Sequence, residues 1–260
     1  MQILVCVKQV IDPEGIRLGL DPDGNLKPLF TGEERMNRYD ACALETALRI
    51  KESMQGVEVH ALTFGPERCK PVLIRSMGMG ADKGVLMRTE DFSAPGEVGP
   101  AADFIATFLN DHPYDLILTG AMSEDRMRGE TGPRLAALMG LPFLGSIVNL
   151  EVDENANTLS ADREIEGGVR ESFEVQLPAI IAVQTGIHEP RYPALSRLMR
   201  GKRQGVEIVE VLNPAGEKAR ARMPHLEAPM RRRKTEFIEG DATEKARQLL
   251  EILRKRGVLP

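Results

Sequence analysis

Within the first 150 residues, short apolar runs alternate with segments whose apolar residues recur at helical spacing. The runs are Gln2 to Val7, Val57 to Phe64, Gly84 to Met87 and Leu116 to Leu118. The segments are Asn37 to Met54, the stretch from Gly65-Pro66 to Gly78 and Gly80, Val98 to Asn110, and one opened by Gly132-Pro133. A run that is apolar throughout suits a strand covered on both faces, because alternate side chains point to opposite sides. Strand and helix in alternation, with short connections, predict an α/β fold built on an open parallel, Rossmann-like sheet. Right-handed crossovers put the loops after the strands along one edge, and ligands sit where the strand order reverses. With Phe143 to Val152 as a fifth strand, an order near 3-2-1-4-5 places the first and fourth strands at that reversal.

The loop after the fourth run carries the chemistry. In YDLILTGAMSEDRMRGETGPRLAALMGLP, residues 114–142, the run ends at Gly120 and a polar loop leads to Gly132-Pro133. The first amides of a helix have no internal partner, so proline is tolerated there and an anion is favoured. Gly129, Thr131 and Gly132 allow a phosphate to approach the backbone, and Lys8, directly after the first run, could meet it. No G-x-G-x-x-G follows the first run and no Walker sequence occurs. Gly78-Met79-Gly80 reads as a helix end. His60, His112 and His225 have no partners at metal-ligand spacing, and Glu164, Glu166 and Glu171 read as a solvated face. No nucleophile, base and orienting group come together. The pattern is that of a nucleotide binder rather than a self-sufficient catalyst.

A formal net charge of −5 argues against general nucleic-acid binding. No apolar run approaches the roughly 20 residues of a membrane span. The opening MQILVCVKQV lacks a basic leader and a small-residue cleavage site, so it reads as a buried strand rather than a signal. Cys6, Cys42 and Cys69 are odd in number and far apart, which fits a reducing cytoplasm and neither a disulfide framework nor a zinc site.

Residues 12 to 34, rich in Asp, Pro and Gly, predict an irregular excursion with a small hairpin. After residue 152, Asn157 to Ile165 and Val169 to Leu177 alternate polar and apolar residues around Gly167-Gly168, which predicts a β-hairpin. Ala179 to Thr185 is another buried strand. Two prolines and Tyr192 precede a short amphipathic turn with Leu195, Leu198 and Met199 at helical spacing. Residues 212 to 235 show little periodicity and hold the basic run Arg231 to Lys234. Thr243 to Lys255 predicts a helix with Ala246, Leu249, Leu250 and Leu253 on one stripe. The expected division is a nucleotide-binding domain over 1–210 and an extended C-terminal arm over 211–260, whose helix reaches a partner.

ILVCVKQVID at the start, MNRYDACALETALRIKE (36–52) and FGPERCKPVLIRSMGMGAD (64–82) resemble the β subunit of electron transfer flavoprotein. REIEGGVRESFEVQLPAIIAV (163–183) fits that family's signature segment, and EPRYPALSRLMRGKR (189–203) is similar to its partner-recognition loop. The resemblance implies a heterodimer with an α subunit that holds most of an FAD and carries electrons from dehydrogenases to an acceptor. It implies that the β chain is an electron-carrier subunit and not itself an enzyme. The β pocket would take a structural AMP or, in electron-bifurcating members, a second FAD. Carried over, that pocket uses Cys6, Lys8, Asn37, Arg38, Tyr39, Asp40, Phe64, Gly65, Ser123, Asp125, Arg128, Gly129, Glu130, Thr131 and Gly132. Dehydrogenase docking would use Tyr192, Leu195, Leu198 and Met199. The loop departs from the family pattern: Met122-Ser123-Glu124-Asp125 stands for Gln-Ala-Ile-Asp, and Glu130 replaces a glutamine. A carboxylate at 130 beside a phosphate requires compensation by Arg126 or Arg128. Two other readings stay open, a stand-alone nucleotide-binding domain and a structural subunit without nucleotide.

Overall fold

The computed structural model describes residues 1–15, 17–20, 26–30, 32–89, 101–153, 157–211, 235 and 237–259. The chain divides into two units, 1–225 and 226–260. Residues 98–100 of the third expected helix, His225, the basic run 231–234 and most of 212–235 lie outside the described residues.

In chain order the elements are β1 (Gln2–Cys6), β2 (Gln9–Ile11), β3 (Arg17–Leu20), β4 (Leu26–Phe30), β5 (Glu34–Met36), α1 (Arg38–Ser53) and β6 (Glu58–Gly65). Then come α2 (Lys70–Met79), β7 (Lys83–Arg88), α3 (Ala101–Asp111), β8 (Leu116–Gly120), α4 (Thr131–Met139) and β9 (Phe143–Asp153). The chain continues through β10 (Thr158–Glu164), β11 (Arg170–Gln176), β12 (Ala179–Val183), α5 (Leu195–Gln204), β13 (Glu207–Glu210) and α6 (Ala242–Lys255). The excursion after β1 holds the small antiparallel β3–β4 ladder, as expected.

The main sheet has nine strands in the order β11-β10-β9-β12-β8-β1-β6-β7-β13. The segment from β9 to β13 is parallel, and β10 and β11 extend it as an antiparallel hairpin. The run β7-β6-β1-β8 is the expected 3-2-1-4. The fifth place differs: β12 pairs with β8, and β9 lies one strand further out. Burial explains the exchange. Every residue of β12 is buried, which demands a position covered on both faces, whereas β9 runs half-exposed toward the hairpin. β13 was not expected; its glutamates at both ends suit an edge strand.

The sheet explains why its strands are apolar throughout. Ile3 and Val5 point into a core shared with Ala43, Leu44, Ala47 and Leu73 of α1 and α2. Leu4 points the other way, into a core with Ile105, Phe108 and Leu135 of α3 and α4. α5 lies on α2, and glycines set the separation. A Cβ at Gly78 would sit 2.5 Å from Leu198 Cδ2 and 2.9 Å from Pro193 Cβ. The expected helix end is therefore Gly80, in positive φ with its amide on Ser76 O, while Gly78 serves close packing inside α2.

In the second unit, Asp241 caps α6: its side chain accepts the amides of Thr243 and Glu244, and Glu244 reaches back to the Asp241 amide. Leu249 and Leu250 remain nearly half exposed. No helix among the described residues is long and apolar enough to cross a membrane.

Candidate functional site

The carboxyl ends of β1, β6 and β8 lie side by side in the sheet, and the loops leaving β1 and β8 meet there over the start of α1. Asp40, in the first turn of α1 and 6% exposed, is the centre. Its Oδ2 accepts the amide of Lys8 at 2.8 Å and its Oδ1 accepts the amide of Gly120 at 3.0 Å. One carboxylate thus ties the ends of β1 and β8. Burial pushes the Asp40 carboxyl up to about 7, and the Lys8 amide, Asn37 and the Gly120 amide limit the rise. Burial also pushes the neighbouring Cys6 thiol up to about 12, helped by the charge of Asp40.

Asn37, 1% exposed, clamps the loop after β8. Its Nδ2 donates to Met122 O at 2.9 Å and its Oδ1 accepts the Glu124 amide at 3.1 Å. Glu124 returns the contact. It accepts the amide of Arg38 at 3.0 Å, filling the otherwise uncapped start of α1, and pairs with Arg35 at 3.0 Å. Lys8 Nζ reaches the carboxylate of Asp125 at 2.6 Å and Ser123 Oγ at 3.5 Å. Burial pushes Asp125 up, but the hydrogen bonds from Lys8 and Ser123 outweigh it and hold the carboxyl below its ordinary value.

The far half of the loop prepares the start of α4. Gly129 takes φ 63°, and a Cβ there would sit 3.0 Å from Ala121 O. Glu130 precedes α4 without a capping side-chain hydrogen bond, and Pro133 in the first turn has no amide. A Cβ at Gly132 would lie 2.9 Å from the Phe143 ring and 3.0 Å from Thr119 Oγ1. Thr119 Oγ1 is itself buried with no hydrogen-bond partner among the described residues. Arg128 pairs with Glu130 at 3.5 Å. A helix start without a side-chain cap, a hydroxyl with no partner among the described residues and glycine-lined backbone fit an anionic group.

Lys8, Asn37, Asp40, Ser123 and Asp125 are therefore joined in one hydrogen-bonded cluster. Arg38 takes part through its amide, and the Tyr39 Cβ lies 2.6 Å from where a Cβ of Gly120 would be. Phe64 and Gly65 stand at the next strand end, where Phe64 stacks on Phe104 at 5.4 Å and Gly65 abuts Cys69. Glu124, Arg35 and Thr119 were missed. Glu124 was legible only as a departure from the expected loop, and Thr119 reads as an ordinary strand residue.

The expected docking residues divide. Tyr192 is 91% exposed, Leu195 74% and Met199 49%. Leu198 departs from this set: it is half-buried against Gly78 of α2. Leu195, Leu198 and Met199 keep the helical spacing of α5, and Leu198 is the one of the three that lies toward α2.

A family model described as "Electron transfer flavoprotein domain" matches residues 30–214. The electron transfer flavoprotein subunit beta of Bacillus subtilis is 30% identical over 265 residues, covering 99% of each chain. The mitochondrial subunit beta of Arabidopsis thaliana is 31% identical over 235 residues, 84% of this chain and 92% of its own. The human subunit beta is 30% identical over 214 residues, 81% of each chain. With the sheet, the clamped loop and these matches together, the chain belongs to the electron transfer flavoprotein β-subunit family.

Proposed function

We propose that this chain is the β subunit of a heterodimeric electron transfer flavoprotein, an electron carrier that passes electrons from dehydrogenases to an acceptor through an FAD held mostly by an α subunit. The flavin supplies the redox chemistry when bound, and the residues of this chain position, orient and exclude water. The pocket at the ends of β1, β6 and β8 takes a structural AMP. The observation that carries this reading is the clamp made by Asp40 and Asn37, which fixes the loop 120–125 that leads to the start of α4. The phosphate lies at Gly129 to Gly132, its charge met by the amides of Thr131 and Gly132 and by Arg128. Cys6, Phe64 and Gly65 border the pocket from the neighbouring strand ends. Tyr192, Leu195 and Met199 meet the dehydrogenase, and α6 meets the α subunit. We place the protein in the cytoplasm, in keeping with three free cysteines.

A second reading, a β subunit with no nucleotide, is favoured by one observation: the Lys8 ammonium is already held by Asp125. Extraction of nucleotides from the purified αβ complex, followed by mass analysis, separates the cases. AMP at one equivalent per heterodimer supports the first reading. A second FAD points to the bifurcating type, and an empty extract supports the nucleotide-free subunit.

A further inference from the structure

We infer that Glu45 is a positioning residue for partner docking, acting through Arg191 to fix the segment that carries Tyr192 and Leu195. The inference rests on the reading of residues 190–200 as the docking arm. Glu45 lies in the middle of α1, 2% exposed, with buried Leu44 and Thr46 on either side. A carboxylate so deeply buried persists only with partners, and most of these come from a single distant residue. Glu45 Oε2 accepts the backbone amide of Arg191 at 3.2 Å and its Nε at 2.8 Å, while Oε1 accepts Nη2 at 2.9 Å. Arg49, one turn along α1, donates to Oε1 at 3.2 Å. The outer edge of the Arg191 guanidinium is held by Glu52.

Both the backbone and the side chain of Arg191 are thus pinned to α1, one residue before Tyr192, which is the most exposed aromatic among the described residues. The other end of the segment is pinned to α2. The Ala194 amide donates to Gly78 O at 3.0 Å, and Arg197 Nη1 donates to Met79 O at 3.1 Å. Between the two fixings, Tyr192 and Leu195 stand out to solvent. An apolar residue at position 45 would fill the space equally well. A fork held by two carboxylates adds what packing does not, a defined orientation of the chain that leaves it. Burial pushes Glu45 up, but the Arg191 hydrogen bonds outweigh it and hold the carboxyl below its ordinary value, so the pair stays charged near neutral pH. Anchors held in place before encounter lose less freedom on docking, which lowers KM for the partner without changing the chemistry.

The test compares Glu45→Gln and Leu195→Ala in the αβ complex. A panel of the host's dehydrogenases serves as electron donors, and the fastest donor is used for kinetics. Amide hydrogen exchange over residues 190–196 is read in parallel. Glu45→Gln is expected to raise KM for the donor about five- to tenfold with kcat unchanged. It should speed exchange over 190–196 while exchange in β1, β6 and β8 stays at the wild-type rate. Should Glu45→Gln fold poorly, Arg191→Gln removes the guanidinium contacts to Glu45 and Glu52 from the exposed side, leaving the backbone contact, and should raise KM and exchange over 190–196 in the same direction. If Leu195→Ala raises KM while the Glu45 and Arg191 variants do not, the positioning inference is overturned and the docking reading stands. If Leu195→Ala leaves KM unchanged for every donor, the docking reading itself fails and the inference falls with it. Faster exchange throughout the sheet would also overturn it, by making Glu45 a residue of general stability.

Discussion

Asp40 accepts the backbone amide of Gly120 at 3.0 Å, joining the first turn of α1 to the end of β8 across 80 residues of sequence. The same carboxylate accepts the Lys8 amide, so a single side chain sets the spacing of two strand ends and launches the loop between them. Family resemblance puts Asp40 in a cofactor pocket. In the structure its oxygens accept the Lys8 and Gly120 amides and 6% of it is exposed, so it holds the backbone of that pocket.

Replacing Asp40 by Asn should cost about 1–3 kcal/mol, because the amide NH2 then faces one of two N–H donors and leaves it unpaired. Nucleotide content should fall along with stability. Denaturant unfolding and nucleotide extraction on the same preparation measure both effects.

Asp40 also predicts a pH dependence. Its folded value of about 7 stands above the ordinary 3.8, so the folded chain takes up this proton first. Its charge therefore costs stability above about pH 7, and that cost is relieved as the pH falls from about 7 toward 4. Protonation meanwhile weakens the acceptor that holds Lys8 and Gly120. Their amide resonances should shift together with a midpoint near pH 7, and the shift should vanish in Asp40→Asn. Flat resonances through this range would contradict the assignment.

Gly120→Ala places a Cβ 2.3 Å from Asp40 Oδ1 and 2.6 Å from Tyr39 Cβ. Backbone and helix start must then move apart, at a cost of about 1–3 kcal/mol. Gly140, whose Cβ position meets nothing, is a useful contrast, although its positive φ still disfavours alanine. A thermal melt of Gly120→Ala should show the loss, and loop 121–132 should become the protein's most protease-sensitive described segment.

Much of the fold was legible because burial on two faces leaves a plain mark: β1, β6 and β8 have few polar residues to spare. The hairpin announced itself through the alternation on each side of Gly167-Gly168. The position of β12 was not legible, because sequence order says nothing about which of two late strands enters the gap beside β8. Only the burial of all five residues decides it. Topology and resemblance bring the residues of the strand ends together. Their contacts are not legible there, since Glu124 acts on Arg38 and Asp40 on Gly120 across 86 and 80 residues. The burial of Leu198 is a similar case. Helical spacing groups it with Leu195, and only the α5–α2 contact shows that the two differ in exposure.

Leu195 and Leu198 should therefore behave oppositely. Leu198→Ala should cost about 2 kcal/mol of stability by opening a gap over Gly78. Leu195→Ala should leave the melting temperature near wild type and slow electron uptake from the natural donor roughly tenfold at limiting concentration, the loss of one buried aliphatic anchor. Melts and donor titrations of the two variants side by side test the pair.

The loop arginine gives a further expectation. Arg128→Ala removes the partner of Glu130 and should weaken nucleotide binding by about tenfold, the worth of one charge-assisted contact. Glu130→Gln should leave binding unchanged or tighten it. Calorimetric titration with AMP of complex stripped of nucleotide reads both. Abolished binding in Glu130→Gln would instead give the carboxylate a direct role, such as accepting a ribose hydroxyl.

The most direct test is co-expression of this chain with the α subunit from the same host, followed by size-exclusion chromatography with mass and visible-absorbance detection. A yellow complex of one α and one β chain, with the β chain alone colourless and prone to aggregate, is the predicted result. A colourless, monodisperse β monomer that ignores the α subunit, with Ala246 to Leu253 protected from hydrogen exchange, would contradict it.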